Sequence, residues 1–168
     1  MTGADAAIVL QDAFWQAGEA LMYRHTTPWE LDEALTNWGY TMGPCEAQDL
    51  IGLEKVLARD PNRSVPILPR MVAEGRIGKS GGVGYYRYPG GGGAVIDPLI
   101  EDMFREEAWF ASDDRSEISD AQIVETMNAA LVQALDRLSL PDAEALSVLA
   151  RAVHFPKDKT LQELTLRA

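Results

Sequence analysis

The 168-residue chain is poor in several things at once: it has one cysteine, two histidines, and 15 Lys and Arg against 26 Asp and Glu. Each shortage removes a class of protein. Cys45 has no second thiol to pair with, so an internal disulfide contributes nothing to the fold. His25 and His154 stand far apart in the chain and in no metal-ligand spacing such as H-E-x-x-H, so no metal site is expected. A net charge of −11 disfavours nucleic acid as a partner, because phosphates call for basic surface. Met1 to Ile8 lacks the basic start and apolar run of a signal peptide, and nothing approaches the ~18 consecutive apolar residues of a membrane span. A cytoplasmic protein without a membrane span is the expectation. A doubly wound nucleotide-binding domain plus a substrate domain would also need a longer chain, whereas one compact domain fits.

What is present reads as helix. Val9, Ala13, Ala17 and Ala20, flanked by Leu10, Phe14 and Leu21, form one broad apolar stripe from Ala6 to Tyr23. Thr27-Pro28-Trp29-Glu30 is a capping box with proline at the first helical position, and its helix runs to about Trp38 before Gly39. Gly43-Pro44 opens a third short helix, which Gly52 interrupts, with Leu53 to Arg59 continuing beyond. Leu68 to Glu74 is one more short piece. Past residue 93, Asp97-Pro98 starts a helix to about Phe110. Ser119-Asp-Ala-Gln122 boxes the start of a long helix to about Leu138, Pro141 starts another to Val153, and Thr160-Leu-Gln-Glu163 opens a terminal turn. Shifting the first half by roughly 115 residues lands on the second, which suggests a degenerate internal duplication. The expected organisation is therefore all-α, with a first helical repeat and glycine-rich loop over 1–93 and a second, worn repeat over 94–168. Phe14 and Trp15 on the first helix are bulky enough to suggest a homodimer contact.

The stretch from Gly75 to Gly93 differs in kind, holding nine of the 14 glycines. Val83 to Tyr88 reads as a short strand or ordered loop, and Gly90 to Gly93 as a flexible linker. Gly78-Lys79-Ser80 is not a P-loop, because the required first glycine falls on Ala73 and no buried strand precedes it. Gly81-Gly82-Val83-Gly84 likewise lacks the strand and helix that frame a dinucleotide fingerprint. Charge is uneven: Lys55 to Tyr88 carries seven basic residues against two acidic, +5, leaving −16 on the remainder. Such a segment either steers an anionic ligand or pairs with the acidic helices around it. No nucleophile, base and orienter can be assigned from spacing. Glu19, Asp32, Glu33, Glu46 and Asp49 read as solvated or cap-pairing groups, Cys45 as a small residue packing a corner, and the four tryptophans as core or interface anchors.

Three stretches, in this order, resemble the C-terminal domain of the 3-hydroxyacyl-CoA dehydrogenases of fatty-acid β-oxidation. Trp29-Glu-Leu-Asp-Glu-Ala-Leu35 with Met42-Gly-Pro-Cys-Glu-Ala-Gln-Asp-Leu-Ile-Gly-Leu53 is similar to the family's "D-I-D-x-A" helix and "M-G-P-F-x-x-x-D-x-x-G-L" corner. Glu74 to Tyr88 is similar to its "G-R-x-G-x-K-x-G-x-G-F-Y-x-Y" loop. Glu117 to Val124, leading into Leu131-Val-Gln-Ala134, looks like the second repeat of the multifunctional α subunits. The resemblance implies the helical fold of the 6-phosphogluconate-dehydrogenase C-terminal type and a role in closing an acyl-CoA site, with Met42, Gly43, Pro44 and Lys79 on the substrate side. It also implies that NAD and the catalytic His–Glu pair belong to a Rossmann domain, which these 168 residues do not contain. This chain then binds no cofactor alone and supplies no catalytic residue, and its partners are an acyl-CoA and either a second copy or a separate NAD-binding domain or subunit. Departures are visible. An ungapped alignment through Ala17 places Ala7 where the family carries a substrate-positioning Asn, Cys45 replaces the corner phenylalanine, and Gln133-Ala134-Leu135 stands for Asn-Glu-Ala. Whether the chain is an enzyme stays open, and a catalytically inert binding or dimerisation module of the same descent is the alternative.

Overall fold

The computed structural model describes residues 2–165. Nine α-helices are found among them: α1 (Gly3–Arg24), α2 (Pro28–Trp38), α3 (Pro44–Ile51), α4 (Leu53–Arg59), α5 (Ile67–Ala73), α6 (Leu99–Phe110), α7 (Asp120–Leu138), α8 (Asp142–Val153) and α9 (Leu161–Thr165). The described residues include no named strand, only isolated antiparallel bridges within 78–95. The fold is all-α, as the periodicity predicts.

The caps explain the boundaries. Thr27 accepts from the Glu30 amide, while the Glu30 carboxylate accepts from Thr26 Oγ1 (3.0 Å) instead of reaching back to the cap. Ser119 and Gln122 form a reciprocal box at α7, and Glu163 accepts from the Thr160 amide at α9 (3.0 Å). α1 begins three residues before the apolar stripe because Thr2 and Asp5 form a further box, each meeting an amide that the first turn leaves open. At its other end the orphan carbonyls are met from far away. The Arg115 guanidinium donates to Met22 O (2.5 Å), Tyr23 O (2.6 Å) and Thr26 O (3.2 Å), placing a cation at the negative pole of α1.

α1 is the central helix, packed against α7 and α8 and also touching α2, α3 and α6. This corrects one expectation: Phe14 and Trp15 are buried in the core and present nothing to a second copy, because helices from both halves cover α1. Trp38 and the Phe14–Tyr40 stack (5.3 Å between centroids) meet Phe155 from the second half. Tyr40 Oη donates to Asn128 Oδ1 at 2.6 Å inside that core. One continuous apolar cluster joins residues from both halves. On the surface, Leu99, Trp109 and Phe110 of α6 are exposed.

Candidate functional site

The corner at α3 is organised by a carboxylate from another helix. Gly43 caps α3 without a side chain, and Pro44 follows at the first helical position, where its missing N–H costs nothing. The next two amides are met by α2. Asp32 Oδ1 accepts from Cys45 N (2.9 Å) and Oδ2 from Glu46 N (3.1 Å). A Cβ on Gly43 would lie 2.2 Å from Asp32 Cγ, so the close approach of α2 admits only glycine there.

A second carboxylate fastens the glycine-rich loop to the same helix. Asp49 accepts from Tyr85 N (2.8 Å), Tyr86 N (3.0 Å) and Tyr88 Oη (2.6 Å). Gly84 packs so tightly on it that an added Cβ would stand 2.2 Å from Oδ1. Tyr86 joins the two anchors, since its amide serves Asp49 while its hydroxyl donates to Asp32 Oδ2 (2.8 Å). Leu53 N donates to Ile77 O (2.8 Å), and Arg76 donates to Gly84 O (2.9 Å) and to Asp97 (2.7 Å). Corner and loop therefore form one hydrogen-bonded body, and Val83 to Tyr88 is an ordered loop with bridges, not a strand.

Of the sequence-predicted site residues, Gly43 and Pro44 are buried at the cap, Met42 is half-buried before it, and Lys79 is exposed. Lys79 opens the short 3-10 turn Lys79–Gly81 with its Nζ 6.0 Å from the Tyr88 ring centroid, and that tyrosine is held by Asp49. Asp32 is the cap-pairing group that the sequence allowed, on α3 instead of its own helix, whereas Glu19 and Asp49 are neither solvated nor at a cap of their own helix. All three are buried, not solvated, because the donors that satisfy them lie 13 to 54 positions away. Glu33 is exposed and Glu46 partly buried. Cys45 is buried; burial pushes its thiol well up, and Asp32 and Asp49 add to the rise, so it packs the corner and is no nucleophile.

Burial raises Asp32 to about 7 against the pull of its two amides and Tyr86. It raises Asp49 to about 6 against the Tyr88 hydroxyl and the two amides, and Glu19 to about 7 against Arg63. Folded values above unfolded ones mean that the native state holds the extra protons. This contribution is complete below the unfolded carboxylate pKa of about 4 and is lost as pH rises through the folded values of about 6 to 7. The urea midpoint is accordingly expected to fall from pH 5 to pH 8; a midpoint that is flat or rises over that range contradicts the burial assignment.

The basic segment is largely spent on pairing. Arg59 meets Asp12 (3.4 Å), Arg63 meets Glu19 (2.5 Å), Arg70 meets Glu74, Glu106 and Glu107, and Arg76 meets Asp97. Lys55, Lys79 and Arg87 remain as exposed cations. The loop does not fit a dinucleotide: it follows α5, and no helix begins directly after Gly84 to present amides to a pyrophosphate. Among the described residues no His, Cys, Asp and Glu group of three or more is arranged for a metal, and no helix is long and apolar enough to cross a membrane.

Residues 9–88, which contain this corner and loop, match the family described as 3-hydroxyacyl-CoA dehydrogenase, C-terminal domain. The match covers 80 of the 168 residues. Two curated relatives are peroxisomal proteins by name. The peroxisomal bifunctional enzyme of Danio rerio is 29% identical over 127 residues, 62% of this chain and 18% of the relative. The peroxisomal fatty acid beta-oxidation multifunctional protein of Oryza sativa subsp. japonica is 34% identical over 85 residues, 45% of this chain and 12% of the relative. The chain thus spans less than a fifth of either relative. The crystal structure of the dehydrogenase part of multifunctional enzyme 1 from C. elegans superposes with a TM-score of 0.72 at 20% identity, over 88% of this chain and 36% of that one. The fold shared with that structure thus extends well past the 3-hydroxyacyl-CoA dehydrogenase C-terminal domain match at residue 88, into the second half.

Proposed function

We propose that the chain is the helical, acyl-CoA-facing part of a 3-hydroxyacyl-CoA dehydrogenase system of β-oxidation. NAD and the catalytic His–Glu pair come from a separate NAD-binding part, and the acyl-CoA side is formed by Met42 and Lys79 with the buried Gly43 and Pro44 shaping the corner beneath them. The observation that carries this reading is the double anchoring of corner and loop by Asp32 and Asp49, which fixes the Lys79 turn on the corner helix. An ammonium held there suits a phosphate of the CoA moiety. The chain's own residues bind and orient; none of them is assigned a step in hydride transfer.

Calorimetry with acetoacetyl-CoA and, separately, with NADH tests this. The expected result is acyl-CoA binding without NADH binding, and Lys79→Ala weakening the former about 5-fold, the size of one surface charge contact. Binding of neither ligand overturns the reading. A second reading, an inert binding or dimerisation module, is favoured by the pairing of Arg59, Arg63, Arg70 and Arg76, which leaves few cations for CoA. The exposed Leu99, Trp109 and Phe110 support either a homodimer or a docked NAD-binding part.

The repeats 1–93 and 94–168 belong to the same proposal. They are supported by the parallel sequence of long helix and proline-started helix, α1 with Pro28–Trp38 and α7 with the Pro141-capped α8. For compartment, the cytoplasm is proposed on the single cysteine, while the curated relatives are peroxisomal by name.

A further inference from the structure

α1 and α7 enclose a groove whose lining includes no residue of the corner or the loop. A cavity of about 590 Å³ is lined by Ala17 and Leu21 from α1, by His25 at its C-cap, by Ile118, and by an α7 face on which Ala129 and Ala130 stand among Gln122, Glu125, Thr126 and Gln133. The lining positions on α1 recur every four residues. Those on α7 recur at spacings of three and four from Gln122 to Gln133, so each helix presents one face to the groove. That face runs about 16 Å along α7 at ~1.5 Å per residue, the length of three helical turns. Small alanines on both walls leave room for a third helix to lie between the first two.

The charge around the groove selects what can lie there. It continues past His25 and Ile118 into a second cavity of about 430 Å³, lined by Glu30, Glu33, Glu117 and Asp120. No Lys or Arg lines either cavity among the described residues. Arg115 is turned away onto the α1 carbonyls, and Nδ1 of His25 is engaged by Ser116 O and Oγ at 3.0 and 3.1 Å. A floor that mixes Ala17, Leu21, Ile118, Ala129 and Ala130 with uncharged and acidic polar side chains, and that ends in a carboxylate rim, repels nucleic acid, anionic membrane and a second copy of this acidic chain. It matches a helix with leucine-sized side chains on one stripe and lysines or arginines beside them.

We propose that the α1–α7 groove is a docking site for a basic amphipathic helix of a partner polypeptide. This surface is independent of the acyl-CoA reading and stands or falls apart from it.

The test uses the full chain and a fluorescein-labelled 14-residue helical peptide with leucines on one stripe and lysines flanking it, read by anisotropy at low and moderate salt. Saturable one-to-one binding is expected, weakened by salt. Ala129→Trp, at an exposed position, fills the groove and should weaken binding at least 10-fold. The pair Glu33→Lys and Glu117→Lys should do the same. Trp109→Ser, on the α6 patch, should leave it unchanged. Should Ala129→Trp disturb folding, as its melting temperature would show, Ala130→Arg provides the same block. Undiminished binding by the groove variants overturns the proposal. So does equal binding of a control peptide with serines in place of leucines, since that is charge attraction alone. Loss of binding in Trp109→Ser, no saturable binding, or sedimentation showing a dimer broken by Ala129→Trp would overturn it as well.

Discussion

Asp49→Ala is expected to cost about 3 kcal/mol or more of folding stability, because it strands two buried amides and a buried hydroxyl at ~1–3 kcal/mol each. The donors are Tyr85 N, Tyr86 N and Tyr88 Oη. Asp49→Asn should fall between wild type and alanine. With its carbonyl oxygen in the Oδ2 position it keeps Tyr86 N and Tyr88 Oη, while its NH2 faces the Tyr85 amide. Tyr88→Phe removes one donor together with its need and should cost only about 1 kcal/mol. Urea denaturation of the three variants checks the order. A loss under about 1 kcal/mol for alanine would mean that the loop is not held by this carboxylate. The same variant should release the Lys79 turn, so acyl-CoA affinity is expected to fall with it even where the protein remains folded.

Arg63→Ala is the other large effect, expected at about 3–5 kcal/mol because it leaves a buried carboxylate without its counter-charge. Arg63 and Glu19 have side chains only 3% and 1% exposed, and the same guanidinium also donates to Asp60 O and Val56 O at 3.0 Å. Glu19 already lacks a partner for its second oxygen. Without Arg63 its proton affinity rises further, so the penalty should shrink from pH 8 to pH 5 as the carboxyl becomes neutral. The double replacement Glu19→Gln with Arg63→Met should be milder than Arg63→Ala alone, since no charge remains to be buried. Denaturation at the two pH values decides it. A pH-independent loss of about 0.5 kcal/mol, the size of a surface change, would show that the pair is not buried in solution.

Local chemistry was readable and remote chemistry was not. Ser119 with Gln122 and Thr160 with Glu163 announce helix starts because cap and amide are three residues apart. Thr27 was readable as a cap for the same reason, although Glu30 turns instead to Thr26, a neighbour outside the motif. Thr2 lies outside the apolar stripe that marks α1 in the sequence, because a cap can precede that stripe by a full turn. Asp32 and Asp49 look like any polar residues on short helices. Their burial is decided by the α3 amides and the tyrosine loop, which only the tertiary fold brings to them. The arginines of the 55–88 segment show the same limit: their count gives a basic patch, but Asp12, Glu19, Asp97 and the α6 glutamates consume most of it. The residues that carry the family resemblance include Gly43 and Gly84, pressed against the two carboxylates, and Gly78, where an added Cβ would lie 2.3 Å from Asp49 O.

The hydrogen bonds that cross between the halves bear on how the chain acquires its structure. Tyr40 with Asn128, Gln11 with Ala152 O, and Arg115 with the end of α1 join residues about 90 to 140 positions apart. α1 emerges from the ribosome before α7 and α8, yet these two helices cover much of its apolar surface. Until those helices are made, Phe14 and Trp15 are covered only in part, by first-half residues such as Tyr40 and Arg59, and the nascent first half must be kept from sticking to its neighbours. The glycines at 90–93 therefore mark no point at which synthesis could stop with a finished product. The stretch recognisable as a family domain, 9–88, ends well before the shortest length that closes the core.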